Sequence, residues 1–273
     1  MYLTCYVTAH NSEFLSRKNT GLGNVLFEIA CCYAIAKQTD REPVWNKVVL
    51  FGDKLKTIFG FQHKDTIFRK LKKTIEVSFE TKRESDIWRY DPSLLCFLQS
   101  NRSPVEIHGH FECLYYFNEY KSDIQDLFSP DEDSFRLIQS TFPILFDPGY
   151  TPVSLHFRGN EYIRQANIAN PWDYGYYRRA VAYIKEHVKN PIFLIFSDDM
   201  ESIDFSFLES VPYKKMGHTE DYIDLWCQSF CKHHILSRST FSFWGAYLNR
   251  SEDGIVLYDK NFKKPYHDLF HPI

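Results

Sequence analysis

Three strand-to-loop junctions in the second half of the sequence hold residues equipped for chemistry. The first is VSLHFRGNEY, Val153–Tyr162, where an alternating and then apolar run ends in a polar turn. His156 and Arg158 stand two apart, so an extended backbone points both to one side. At the carboxyl end of a buried strand that side can face a ligand, and a guanidinium there offers a fork shaped for phosphate oxygens. A plain strand-end ion pair accounts for the same residues equally well. The second junction is Asp198-Asp199, directly after PIFLIFS. Two adjacent carboxylates can bind a cation if a third ligand joins them, accept hydrogen bonds from a ribose or a base edge, or cap the next helix. The third is Arg238-Ser239-Thr240, where a helix begins. Its hydroxyls and free N–H groups form an anion site or a helix cap, and the sequence admits both.

Cys227, Cys231, His233 and His234 invite a zinc reading. Their spacing lacks paired C-x-x-C hooks, so core thiols at a helix end are the better expectation. Gly21-Leu22-Gly23-Asn24 opens a helical pattern of Leu22, Leu26, Ile29, Ala30, Tyr33 and Ala36. Position 26 is Leu, so this is not the G-x-G-x-x-G dinucleotide fingerprint. Such glycines serve a close ligand approach or tight helix-on-sheet packing.

The elements that must position these residues follow from periodicity. Strands are expected at 1–7, 43–45 and 105–110, and helices at 22–37 and 114–128. Ser129-Pro130 followed by three acids reads as the start of a helix ending near Thr141. Residues 142–152, with three prolines and a glycine, read as a linker, and 54–89 as irregular. Beyond it strands at 153–158, 191–197, 211–216, 234–237 and 254–258 alternate with helices at 173–187, 219–232 and 239–248. That rhythm means a parallel sheet with right-handed crossovers, and two α/β halves with a ligand crevice between them.

Composition narrows the function classes. The 273 residues are 44% hydrophobic and 25% charged, ordinary for a globular chain, and the net charge of -3 argues against nucleic acid as a partner. The 24 Phe and 18 Tyr suit a filled core and sugar-facing surfaces equally. Seven scattered Cys among apolar neighbours, no secretory leader and no apolar run near the ~20 residues of a membrane helix predict a cytoplasmic setting. Peripheral membrane association is left open.

Five segments, in order, carry a family resemblance. They are Gly21–Ala30 (GLGNVLFEIA), Gly109–Phe117 (GHFECLYYF), His156–Tyr162 (HFRGNEY), Phe196–Asp199 (FSDD) and Arg238–Asn249 (RSTFSFWGAYLN). In these the chain resembles the α-1,2-fucosyltransferases, glycosyltransferase family 11. It departs from the family pattern at Val25, Gly159, Asn160, Glu161 and Arg238, where Gln, Arg, Gly, Asp and Asn are usual. Arg238 can supply positive charge missing at 159.

The resemblance implies an α/β fold of the GT-B type, two Rossmann-like domains facing a central cleft. Residues 1–142 would form the acceptor-side domain and 152–273 the nucleotide-sugar-binding domain. It implies an inverting, metal-independent transfer from GDP-β-L-fucose to a glycan acceptor, with no cofactor. Arg158, helped by Ser239, Thr240 and Arg238, would neutralise the diphosphate. His156 would orient the site, Asp198 or Asp199 would read ribose or guanine, and Phe241 would pack on the donor. Glu161 would be the catalytic base, or a salt-bridge partner holding Arg158. Gly23 and Asn24 would face a sugar. A different nucleotide sugar, or an inactive nucleotide- or carbohydrate-binding relative, are the alternatives.

Overall fold

The structure, a computed structural model, describes residues 1–6, 21–45, 65–71, 77–86, 88–159, 172–217 and 220–273. They divide into two compact units, Met1–Ser129 and Pro130–Ile273. The division falls ahead of the 142–152 segment. The helix Glu132–Thr141 groups with the second unit because Phe135 packs edge-on against Phe146 and Phe230.

The first unit holds strands β1 (Tyr2–Tyr6), β2 (Glu42–Pro43), β3 (Glu80–Arg83) and β4 (Val105–His108) in one sheet of order β2-β1-β4-β3. Each pairing is parallel. Helix α1 (Leu22–Gln38) links β1 to β2 and is buried on most of its circumference. Arg41, only 5% exposed, donates to the carbonyls of Leu98 at 3.0 Å, Asn101 at 2.6 Å and Ser103 at 2.9 Å. The guanidinium thus satisfies the carbonyl end of helix α2 (Pro92–Ser100), whose last C=O groups have no partner within the helix.

The second unit has strands β5 (Thr151–Phe157), β6 (Pro191–Ser197), β7 (Tyr213–Lys215), β8 (His233–Ile235), β9 (Val256–Tyr258) and β10 (His271–Pro272). They form a sheet of order β10-β9-β8-β5-β6-β7, parallel at every pairing. β5 comes first in the chain and lies in the middle. β6 and β7 extend the sheet on one side and β8 to β10 on the other. Apolar runs make β5 and β6 two-sided core strands: Val153, Leu155, Phe157, Phe193 and Ile195 are wholly buried, each side chain contributing roughly 1.5–3 kcal/mol. They pack with Tyr176, Tyr177, Ala180 and Ile184 of helix α5 (Tyr174–His187), capped by Asp173. No helix among the described residues is long and apolar enough to cross a membrane.

Several sequence expectations shift. The run 114–128 is two 3-10 turns, Leu114–Tyr116 and Asn118–Tyr120, followed by helix α3 (Lys121–Leu127). Asp131, not Ser129, caps the next helix, α4 (Glu132–Thr141), because its carboxylate accepts the Ser134 N–H at 2.9 Å. The linker folds into a 3-10 turn, Pro143–Phe146, and β5 begins at Thr151. Helix α6 is Asp221–Ser229 and helix α7 is Thr240–Tyr247, both shorter than expected.

Candidate functional site

The strand order reverses between β5 and β8, so two crossovers leave in opposite directions there, and the carboxyl edge at such a switch point is where open α/β sheets hold ligands. Arg158 follows β5, Asp198 follows β6 and Arg238 follows β8, on three neighbouring strands. The parallel registers bring these ends to one edge, as the sequence predicted.

His156 lies inside this edge. It is 5% exposed, and its Nδ1 is 2.7 Å from Ser237 Oγ, two residues past the end of the neighbouring β8. Ser237 Oγ donates to Ser242 Oγ at 3.3 Å, and Ser242 Oγ donates to the Ser239 carbonyl at 3.1 Å. The imidazole is thereby tied to the first turn of α7, and the Phe241 ring lies 5.6 Å from it. Tyr177 Oη donates to the His156 carbonyl at 3.0 Å. Burial, with Arg158 adding to it, pushes the His156 imidazolium down to about 3. The ring is neutral at pH 7 and held in place by hydrogen bonding.

Arg158 Nη1 is 3.1 Å from Asp198 Oδ2, with both side chains partly exposed. Asp198 Oδ1 accepts the Gly159 N–H, and Trp172 Nε1 donates to the Arg158 carbonyl at 2.9 Å. A Cβ at 159 would stand 2.7 Å from Asp199 Cβ and 2.9 Å from Asp198 Cγ. Glycine at this position is what lets the Asp pair close on the strand end. Asp199 takes the Ser202 hydroxyl on Oδ1 at 2.8 Å, and its buried Oδ2 has no hydrogen-bond partner among the described residues.

Arg238 is anchored from behind. Nη2 and Nε reach Asp259 Oδ2 at 2.7 and 3.3 Å, and the guanidinium lies 5.3 Å from the Phe262 ring centroid. The Asp259 side chain is 4% exposed while that of Arg238 is 46% exposed, so the cation faces out from a fixed base. Ser239 caps α7, its Oγ accepting the Phe241 N–H at 3.2 Å, and Thr240 opens the helix. The edge therefore offers two guanidiniums and a helix start, an arrangement suited to a diphosphate.

Glu161 lies outside the described residues. Gly23 and Asn24 sit in the first turn of α1 in the first unit, Gly23 buried and Asn24 donating its N–H to the Gly21 carbonyl at 3.0 Å. The cysteine–histidine group is structural in its contacts: Cys231 Sγ meets the Cys227 carbonyl at 3.5 Å and His233 Nδ1 accepts the Ile255 N–H at 2.9 Å. Ser237, Asp259 and Tyr177 were not singled out from sequence. Only Ser237 had a signal, its place directly before Arg238-Ser239-Thr240.

Comparison with known proteins bears on this site. The chain is 30% identical over 169 residues to an alpha-1,2-colitosyltransferase of Escherichia coli, spanning 58% of this chain and 56% of that protein. It is 29% identical over 134 residues to the galactoside 2-alpha-L-fucosyltransferase Sec1 of Mus musculus, spanning 45% of this chain and 35% of that one. These matches thus reach about half, or less, of the relatives' length. Among solved structures it is similar to NodZ alpha-1,6-fucosyltransferase soaked with GDP-fucose, at a TM-score of 0.53 and 15% identity over 90% of this chain and 92% of that one. That likeness concerns the fold, an α/β architecture of the GT-B type. The sequence profile of Glycosyl transferase family 11 matches residues 7–270. With the five motifs in order and the strand-end cations of two of them at a switch point, the chain belongs to glycosyl transferase family 11.

Proposed function

We propose that this protein is an inverting glycosyltransferase that moves L-fucose from GDP-β-L-fucose to a sugar hydroxyl, forming an α-1,2 linkage without a metal ion. The observation that carries the reading is Arg158, standing at the switch-point edge from which α7 also starts, with His156 and Ser237 bracing the strand end behind it. The acceptor oxygen attacks the anomeric carbon opposite the leaving group. A carbon–oxygen bond to the acceptor forms as the bond to the β-phosphate oxygen breaks, and GDP leaves with the electron pair. The hydroxyl proton passes to a base, for which Glu161 is the proposed residue.

Charge developing on the diphosphate is met by Arg158, which turns from Asp198 to the phosphate oxygens, and by Arg238 with the Ser239-Thr240 helix start. Phe241 packs on the donor, and Asp198 or Asp199 accepts from ribose or guanine; the buried Asp199 Oδ2 has acceptor capacity for this. Gly23 and Asn24 contact a sugar from the first unit. Six of seven free cysteines are buried, which suits the reducing cytoplasm as the proposed location.

Arg158→Ala should lower kcat/KM by about 10²–10³-fold, the scale of one lost charge-stabilising donor. Its melting temperature should hold, because the side chain is 42% exposed. Near-normal turnover in that variant would sink the mechanism. The similarity to a colitosyltransferase favours a second reading, a different nucleotide-sugar donor. GDP release across a panel of GDP-sugars and other nucleotide sugars decides between them, and saturable binding without release would mark a binding protein.

A further inference from the structure

The loops that follow β3 and β4, at the carboxyl edge of the first sheet, carry exposed aromatic surface. Trp88 is 44% exposed and Tyr90 38%. Exposed aromatic area of this kind marks a binding surface when its geometry is fixed and its rim is polar. Both conditions hold. Trp88 Nε1 donates to Glu112 Oε2 at 3.2 Å, and its backbone N–H donates to Asp86 Oδ1 at 2.9 Å. Tyr90 packs on the buried Tyr116 with 5.1 Å between ring centroids, and Tyr116 Oη accepts the Asp91 N–H at 2.9 Å.

Beneath the aromatic pair the two loops are locked together. Glu84 Oε2 accepts the N–H groups of His110 and Phe111, each at 3.0 Å. A Cβ at Gly109 would stand 2.6 Å from Glu84 Cβ, so glycine permits the closure. Phe111 adopts a φ of 52°, a conformation that persists in a bulky residue only when its surroundings hold it.

The ligand chemistry follows from what surrounds the indole. At its rim the carboxylates of Asp86 and Glu112 accept from hydroxyls, and the Arg89 guanidinium, 3.7 Å from Asp86, donates to them; with Arg89 already paired, the rim disfavours the anionic donor. A pyranose presents a C–H face and a hydroxyl rim, and it is uncharged. We propose that Trp88, with Asp86 and Glu112 beside it, is a platform for a neutral pyranose ring of the acceptor saccharide. This rests on the glycosyl-transfer reading for the word acceptor, but the platform's binding can be measured without turnover.

Methyl β-galactoside and lactose are titrated into the purified chain by saturation-transfer NMR, with GDP titrated in parallel. Trp88→Ala should weaken saccharide binding about tenfold, the scale of one stacked aromatic with its buried area, and Trp88→Phe should recover most of it. GDP affinity should be unmoved in both. In transfer assays Trp88→Ala should raise the acceptor KM while kcat holds. Unchanged saccharide affinity in Trp88→Ala with GDP binding intact overturns the platform, and so does failure of the unaltered chain to bind either sugar. Trp88-dependent sugar binding in a protein that transfers from no nucleotide sugar upholds the platform and sinks the transferase reading instead.

Discussion

Gly159 is the residue at which this chain's chemistry is most particular. The family pattern has Arg there, and the sequence alone presents the difference as lost charge. The structure shows a steric consequence as well: Asp198 and Asp199 occupy the space a side chain would need. Gly159→Ala should therefore push Asp198 off Arg158 and cost about 1 kcal/mol, the low end for overpacking, because Asp198 is partly exposed and can move. Urea melts of the variant measure it, and an unchanged midpoint would contradict the close packing. Arg158, Asp198 and Arg238 were legible because strand ends and a family motif mark them. Asp259 was not, since nothing in a sequence says that an Asp after β9 will lie under an Arg 21 residues earlier, past the end of the neighbouring β8. His156 was legible as a position, but its neutral, buried state depends on Ser237 and on burial by neighbours far along the chain.

At the scale of elements, the core strands read clearly and the edges did not. PIFLIFS, an apolar run closed by polar residues, is found as β6 at its expected bounds. ETKR, which is β3, has no alternation to betray it: it is an edge strand with polar residues throughout, held by parallel pairing to β4. The run 114–128 carries helical spacing in Leu114, Phe117, Ile124 and Phe128, yet Tyr116 turns to bond Asp91 and breaks it into turns. The β3–β4 loop lock has a measurable pH signature. Burial pushes the Glu84 carboxyl up to about 7, outweighing its two backbone N–H donors. A folded value above the unfolded ~4.3 means its contribution is whole below ~4.3 and lost as pH rises through about 7. Glu84→Gln should lose less melting temperature than the parent as pH rises from roughly 5 to roughly 7.5 in thermal melts. An identical decline in both proteins would remove Glu84 as its source.

For the molecule as a whole, acid should be the weak side. Burial pushes His156 and His234 down to about 3, and His233 and His267 down to about 4. In the unfolded chain these rings protonate near ~6.5. The unfolded state thus binds more protons below ~6.5, so stability is whole above that and drains as pH falls toward the folded values. Melting temperature should drop between roughly pH 6.5 and pH 5, before Asp91, held low by its Ser93 and Ser85 hydrogen bonds, begins to titrate. A flat profile across that window would mean the rings protonate in the folded chain as readily as in the unfolded one.

The central position of β5 also governs how the site comes into being. Val153 pairs with Phe193 on one flank and with His233 on the other, so neither neighbour is local in sequence. Such pairings carry high contact order and close late. During synthesis, the strand bearing His156 and Arg158 waits unpaired on its β8 flank until the chain has been made past Ile235. The edge proposed to hold the donor is consequently a property of the finished second unit, and a chain stalled before Ser239 would carry Arg158 without the helix start of the proposed anion site.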